Sequence, residues 1–435
     1  MRILRYMLGS LIIIIGLARL RVILLLLASP STYPERDILQ EYLLAKASLA
    51  GINPYLPLNQ LADIFIGNFP YLFHPSPYPP FVAILFIPLT ILSIKQVIIT
   101  WFIIEMLCLM SIAVMTIYLW KGQIDPIWGI FSFFFLLAWY PVYVDLLYGQ
   151  LTIFLTTLLL GTLLALRKDK KILAGILTGL TIAIKMFTWP LLLYFAAKKD
   201  WRALISGCLT AIGLNLIGIS VIGIGPVMEY YSKVSNQVFT IYHSFLKNYS
   251  LWSVGFRFFE GAKPVGERYV YAPPLLYLPQ IAPYVSAGLV FIFLITGLIW
   301  ANKSKNLEIA FSILILVMVA ISPISWDHYY VVTIISLAVL LLALSRAAFP
   351  TWPTILFSII TLMLFFFNEY IADLIFLLNR GLDTQQGGIY QISFLSSLLE
   401  IIPILQVITL TFLLWHVGRK YFSPDKRPNS ILSIK

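Results

Sequence analysis

The sequence predicts an all-α polytopic membrane protein, one integral domain of about twelve transmembrane helices. Of its 435 residues, 60% are hydrophobic and 11% charged, less than half the roughly 25% charged share of a water-soluble domain. The mean hydropathy is +0.90. Apolar runs of about 20 residues, enough at ~1.5 Å per residue to cross a ~30 Å hydrocarbon layer, recur from Leu8 almost to the C-terminus. Continuously apolar stretches such as Leu11 to Ile15 and Leu337 to Leu342 lack the two-residue alternation of a β-barrel.

The first element opens on Met1-Arg-Ile-Leu-Arg5, which has the basic character of a signal-peptide head. Arg19 and Arg21 interrupt the apolar run behind it and no small-residue cleavage site follows, so the sequence predicts an uncleaved helix. With Arg2 and Arg5 cytoplasmic, helices are expected near 8–29, 97–119, 127–147, 150–166, 172–185, 187–198, 203–223, 280–300, 307–323, 329–346, 352–377 and 393–417. Both termini are then inside. Eighteen of the thirty Lys and Arg fall in the short cytoplasmic segments, including the clusters 167–171 and 198–202, as the positive-inside rule requires. The net charge of +11 therefore reflects topology and contact with anionic lipid, with no nucleic-acid partner implied.

Two segments depart from simple spans. The run Phe81 to Ser93, about 13 residues, is too short to cross and is assigned as re-entrant or interfacial. Leu173 to Ala197 is flanked by basic clusters at both ends, which a single crossing would place on opposite sides. Two short helices meeting at Lys185, with Trp189-Pro190 aiding the break, resolve this. Cys108 and Cys208 both lie in apolar runs and are expected to be packing residues. The extracytoplasmic face carries loops over 30–96, about 224–280 and a short one near 379–390, and long loops on one face usually carry function.

Directly behind the first helix come Glu35, Asp37 and Glu41, carboxylates at a membrane surface. Asp37 and Glu41 are four apart, so in a helix over 35–50 lying on the outer surface they share one face while Leu39, Leu43 and Leu44 dip into lipid. One of them can serve as a general base; a solvated face, with Asp37 favoured near a helix N-terminus, explains the same spacing. Lys185 is costly inside an apolar hairpin unless it reaches water or an anion, and snorkelling to the interface competes with anion binding. Arg257 follows Ser250 to Phe256 in an aromatic-rich loop, where stacking or pairing with Glu260 is an ordinary alternative. His328, within Trp326-Asp327-His328-Tyr329-Tyr330, lies where two helices meet on the outer side, at the depth of a substrate headgroup or of an aromatic belt. His74 is expected to be structural. No metal-ligand spacing such as His-Glu-x-x-His and no glycine-rich phosphate loop occurs, so neither a metal nor a cytoplasmic nucleotide-sugar donor is indicated.

Ordered motifs add to this. Asp37-x4-Tyr42-x2-Ala45-x5-Gly51-Ile-Asn-Pro-Tyr55 is followed by Tyr78-Pro79-Pro80, Tyr148-Gly149-Gln150, Gly175-x3-Gly179-x5-Lys185, Tyr249-Ser250-Leu251-Trp252 with Arg257, and Ser322-Pro323-Ile324-Ser325-Trp326-Asp327-His328-Tyr329. The series resembles glycosyltransferase family 87, the polyprenyl-phosphate-mannose-dependent mannosyltransferases of GT-C architecture. Met186-Phe-Thr-Trp-Pro190 departs from that family's more compact Lys-x-x-Pro pattern.

The resemblance implies a GT-C-type bundle whose large first extracytoplasmic loop carries short juxtamembrane helices, with a catalytic core in 1–223 and a C-terminal set of helices in 224–435. It implies sugar transfer, with mannose as the family's best-known donor sugar, from a polyprenyl-phosphate donor to a glycolipid or glycan hydroxyl, with inversion, on the outer side of a bacterial plasma membrane. Asp37 would be the base and Glu41 the second acidic candidate. Lys185, Arg257 and His328 would bind donor phosphate, and Tyr55, Tyr78, Gln150, Trp326 and Asp327 would line the substrate cavity, with no cofactor. Two other functional classes fit a polytopic chain: a transporter or flippase of lipid-linked sugars, for which repeated halves and broken midplane helices would be expected, and a non-catalytic subunit. No internal repeat is present. Finally, Arg19 and Arg21 lie about 12–15 Å from the outer end of the first helix and Glu105 about 12 Å from the outer end of the next, which predicts an ion pair between them.

Overall fold

The structure, a computed structural model, describes residues 2–67, 73–264, 270–366, 374 and 390–422. Within them the regular structure is helical apart from a two-residue parallel pairing, β1 (Val270–Tyr271) with β2 (Tyr390–Gln391), and an isolated antiparallel bridge between Ala262 and Ala272. The helices are α1 (Arg2–Ala28), α2 (Ile38–Leu49), α3 (Leu58–Phe65), α4 (Pro80–Phe86), α5 (Ile94–Lys121), α6 (Pro126–Ala138), α7 (Tyr140–Tyr148), α8 (Thr152–Arg167), α9 (Lys171–Ile184) and α10 (Pro190–Ala197). They continue with α11 (Trp201–Ile222), α12 (Ile224–Glu229), α13 (Ser235–Tyr242), α14 (Leu251–Phe259), α15 (Ala282–Lys303), α16 (Leu307–Ile321), α17 (Thr333–Arg346), α18 (Thr351–Phe365), α19 (Phe394–Leu399) and α20 (Ile402–Tyr421).

The number of spans is smaller than the sequence suggests. Among the described residues six helical stretches are long and apolar enough to cross a membrane: Met7–Ala28, Ile94–Lys121, Trp201–Ile222, Ala282–Lys303, Asp327–Arg346 and Phe394–Tyr421. A seventh arises if α6 and α7, bent by 72° at their junction, count as one. The expected bundle of about twelve is thereby corrected to six or seven. The other five expected spans correspond to helices α8, α9, α10, α16 and α18, which are too short: the 15 residues of α16 extend only about 22 Å at the α-helical rise. For α16, buried from Ile309 to Ile321, apolar composition suggested a span because a helix buried inside a bundle is as apolar as one facing lipid. The expected helix 352–377 is described only to Phe366, and the short loop near 379–390 and the basic tail beyond 422 lie outside the described residues.

Local sequence explains the breaks. Gly122, in the left-handed conformation at φ 74°, ends α5, and Asp125 caps α6 by accepting a hydrogen bond from the Trp128 amide at 3.2 Å. Trp139 is extended between α6 and α7, and Pro141 falls in the first turn of α7, where its missing N–H costs nothing. Lys185 is extended after α9, a single 3-10 turn over Met186–Thr188 follows, and Pro190 opens α10, so the hairpin breaks where the sequence expects. The run Phe81 to Ser93 lies on α4 and a 3-10 turn over Ile87–Ile91.

At the centre stands α16, whose residues Ile309 to Ile321 are all buried; it packs against α15, α17 and α20. Helices α9 and α11 cross at close range through Gly175 and Gly179. A Cβ at Gly175 would collide with Ser206 and the Ala203 carbonyl, and one at Gly179 with the Gly207 carbonyl, the small-residue packing used where apolar burial alone gives no drive between helices. Outward faces of α1, α11 and α15 stay apolar and exposed, as at Ile14, Leu209 and Phe291.

Two local expectations are corrected. Helix α2 does not lie on a surface: Leu39, Leu43 and Leu44 are fully buried, and Leu39, Leu43 and Ala47 pack on Leu58, Leu61 and Ala62 rather than on lipid. The helix is covered by α3, α4 and α11, so its second apolar face meets protein. Arg19 does not pair with Glu105. Its guanidinium donates to the Ala138 carbonyl at 2.7 Å and lies over the rings of Tyr140 and Tyr143, while the charges nearest Glu105 are Asp145 and Arg36. Depth along two helices did not fix which way each side chain turns around its helix.

Candidate functional site

The site grows from the start of α2. Asp37 occupies the N-cap position, yet its side chain makes no capping hydrogen bond. The carboxylate turns away from the helix end: Oδ1 accepts from Nε2 of Gln40 at 2.9 Å and Oδ2 accepts from Nε2 of Gln150. Gln150 comes from the turn between α7 and α8, 113 residues on in the chain. Its amide N–H donates to the Asp145 carbonyl at 3.0 Å, and Asp145 Oδ1 accepts from the Ile153 amide at 3.3 Å, which ties the first turn of α8 to α7. Gly149 makes this turn possible. It is left-handed at φ 68°, and a Cβ there would lie 3.1 Å from Cβ of Ile38 at the head of α2.

The other face of Gln150 reaches Tyr78. The Tyr78 hydroxyl donates to Oε1 of Gln150 at 3.1 Å; burial pushes this phenol well above its usual range, so it keeps the proton it donates. Tyr78 is held in turn by Tyr55, whose hydroxyl donates to the Tyr78 carbonyl at 3.1 Å and whose ring packs 4.9 Å from Tyr230. Tyr230 donates to the Pro77 carbonyl at 3.0 Å. The proline-rich segment before α4 is thus fixed by two tyrosines from separate stretches.

Lys185 lies on the far side of Tyr78. Its ammonium is 4.1 Å from the centroid of the Tyr329 ring and 5.7 Å from that of Tyr78, is buried, and has no hydrogen-bond partner among the described residues. The carboxylates whose charge reaches it are Asp145, Glu41 and Asp37. Snorkelling to an interface does not describe this lysine. His328, 7% exposed, stands beside Tyr329 with ring centroids 5.1 Å apart and within electrostatic reach of Lys185. Glu41 is fully buried one turn after Asp37, with its carboxyl beside the Tyr78 hydroxyl. Burial, reinforced by the charge of Asp37, pushes its carboxyl up to about 8.

Asp37, Glu41, Tyr78, Gln150, Lys185 and His328 are therefore brought together, with Tyr55 one contact behind. The remaining sequence candidates lie elsewhere. The Trp326 ring packs on Tyr242 and Phe245, beside His74, whose two ring nitrogens meet the Pro75 carbonyl and the Tyr242 hydroxyl. Arg257, 1% exposed, donates to the carbonyls of Phe245 at 3.2 Å, Leu246, and Asn248 at 2.8 Å. Burial pulls its guanidinium below the usual arginine range, opposed by Glu400, Tyr249 and Tyr330. Asp327 acts on the same Tyr249 and Tyr330. Three residues of the site were missed. Asp145 and Tyr329 carried a signal, an acid inside an apolar run and a tyrosine within a motif already singled out; Gln40 carried none.

An ammonium with no hydrogen-bond partner among the described residues, a carboxylate near it and a buried aromatic wall are groups suited to hold a phosphate anion and accept a proton from a hydroxyl. The family model of glycosyltransferase family 87 matches residues 77–323, more than half of the chain. The chain belongs to glycosyltransferase family 87. No curated protein and no solved structure matches it. The part matched to the family contains Tyr78, Gln150, Lys185 and Arg257. Asp37, Glu41, Tyr55 and His328 fall outside that stretch, and Asp37 joins it through its contact with Gln150. This member of glycosyltransferase family 87 is an integral, multi-pass membrane protein.

Proposed function

We propose that this protein transfers a sugar, mannose, from a polyprenyl-phosphate donor to a hydroxyl of a glycolipid or glycan acceptor on the extracytoplasmic side, with inversion at the anomeric carbon. The acceptor oxygen forms its bond to C1 as the bond from C1 to the phosphate oxygen breaks. The hydroxyl proton passes to Asp37, and the electron pair leaves with the polyprenyl phosphate, which gains negative charge. Lys185 binds that phosphate, with His328 beside it, and its hold strengthens as the charge develops. Glu41, buried and neutral below about pH 8, limits the negative charge around the donor phosphate.

The observation that carries this reading is the placement of Asp37, tied through Gln150 and Tyr78 to the wall that holds the unpartnered ammonium of Lys185. The Asp37 carboxylate leaves the amides of its helix end for the side chains of Gln40 and Gln150, and its charge reaches the Lys185 ammonium, a cation suited to a leaving phosphate. Arg257 supports the loop over 245–248 through Nη2, which donates to the carbonyls of Phe245, Leu246 and Asn248, while its buried Nε and Nη1 have no hydrogen-bond partner among the described residues.

The test is to incubate the purified protein with polyprenyl-phosphate mannose and a series of glycolipid acceptors and to follow product by mass spectrometry. A product in wild type that is lost in Asp37→Asn is the expected result. Absence of any product, together with movement of the labelled donor across proteoliposomes, would assign the chain to transport instead.

A further inference from the structure

We infer that Gln40 and Gln150 form an amide clamp that orients the Asp37 carboxylate and keeps it ionised, so that both are positioning residues for proton transfer. The inference rests on Asp37 being the base. Both carboxylate oxygens accept from side-chain amides, Oδ1 from Gln40 and Oδ2 from Gln150. Both amides are buried, at 5% and 4% exposure, where a hydrogen bond to a charged acceptor counts for more than in water.

Geometry sets which end of each amide faces the acid. The Tyr78 hydroxyl donates to Oε1 of Gln150, so the amide nitrogen of Gln150 is the end left for Asp37, and a carboxylate, which only accepts, matches it. Gln40 stands three residues after Asp37, on the adjoining turn, and its Oε1 makes no other hydrogen bond. The polar capacity of that side chain is therefore directed at Asp37 through its nitrogen. A protonated carboxyl would turn one O–H against two N–H donors, so the pair favours the anion, the form a general base needs. Two donors from separate stretches also fix the rotation of the carboxylate.

The experiment reads the carboxylate directly, without turnover. Full-length protein labelled with carboxyl-¹³C aspartate is titrated by infrared difference spectroscopy, the Asp37 band being the one lost in Asp37→Asn. Gln40→Met and Gln150→Met, close in volume, are each expected to move the Asp37 midpoint up by about one pH unit. In transfer assays with polyprenyl-phosphate mannose, the acidic limb of the kcat profile should move by the same amount while KM for the acceptor holds. Tyr78→Phe, which frees the Gln150 amide to turn, should give a smaller rise and covers the case in which Gln150→Met does not fold. An unchanged Asp37 midpoint in Gln40→Met and Tyr78→Phe overturns the clamp. A shifted midpoint in a protein that transfers no sugar would keep the clamp and overturn the transferase reading.

Discussion

The ammonium of Lys185 rests 4.1 Å from the centre of the Tyr329 ring and donates to no oxygen or nitrogen among the described residues. A cation held by an aromatic face keeps its N–H groups free for an anion, and in a desolvated setting that contact is worth about 2 kcal/mol. Lys185→Met is expected to lower kcat by about 10²- to 10³-fold, the usual effect of removing one donor to developing charge, with little change in apparent Tm. Steady-state transfer assays beside thermal unfolding would check it, and full activity would remove Lys185 from the reaction.

Asp37→Asn and Asp37→Ala should each reduce transfer by about 10²- to 10⁴-fold, the range for a general base, while expression and thermal stability hold. Glu41→Ala should be much milder. Equal losses in the two positions would shift the role of base toward Glu41.

The Glu41 carboxyl, ordinarily near 4.5, is raised by burial to about 8. Between those values the folded protein binds a proton that the unfolded chain does not, so stability falls as pH rises through that window and is unaffected below it. Glu41→Gln, which cannot ionise, should therefore raise the apparent Tm at pH 9 by several degrees and leave it unchanged at pH 4. A gain of equal size at both pH values would show that Glu41 is ionised in neither or both states.

Arg257 satisfies three carbonyls of the loop before α14. Arg257→Ala strands those oxygens and the nearby Glu400, and should cost about 3–5 kcal/mol of stability. A variant that unfolds at the wild-type temperature but loses transfer would return this guanidinium to the donor phosphate.

Much of the layout was legible in the chain. Continuous apolar runs gave a helical membrane protein, and the break at Lys185 followed from basic residues on both sides of Leu173 to Ala197. Span number was not legible, since α16 is uniformly apolar because protein surrounds it, and hydropathy does not separate protein from lipid as the covering phase. Asp37 stood out as an acid next to a first span. Its partner Gln40 did not, because a glutamine three residues on in a helix is ordinary, and only the folded chain shows which way its amide turns. Trp326 and Asp327 share a motif with His328 but face other neighbours, as consecutive residues in a 3-10 turn point about 120° apart.

Gly149 has a wider consequence. The head of α2 is seated against a turn that offers it a hydrogen where other residues carry a methyl. A methyl there would meet Ile38 at 3.1 Å, so the turn or the head of that helix would have to give by a few tenths of an ångström at the point where its aspartate reaches Gln150. On the proposed reaction, tolerance to substitution at 149 becomes a ruler for how closely Asp37 and the helix bundle must stay in step.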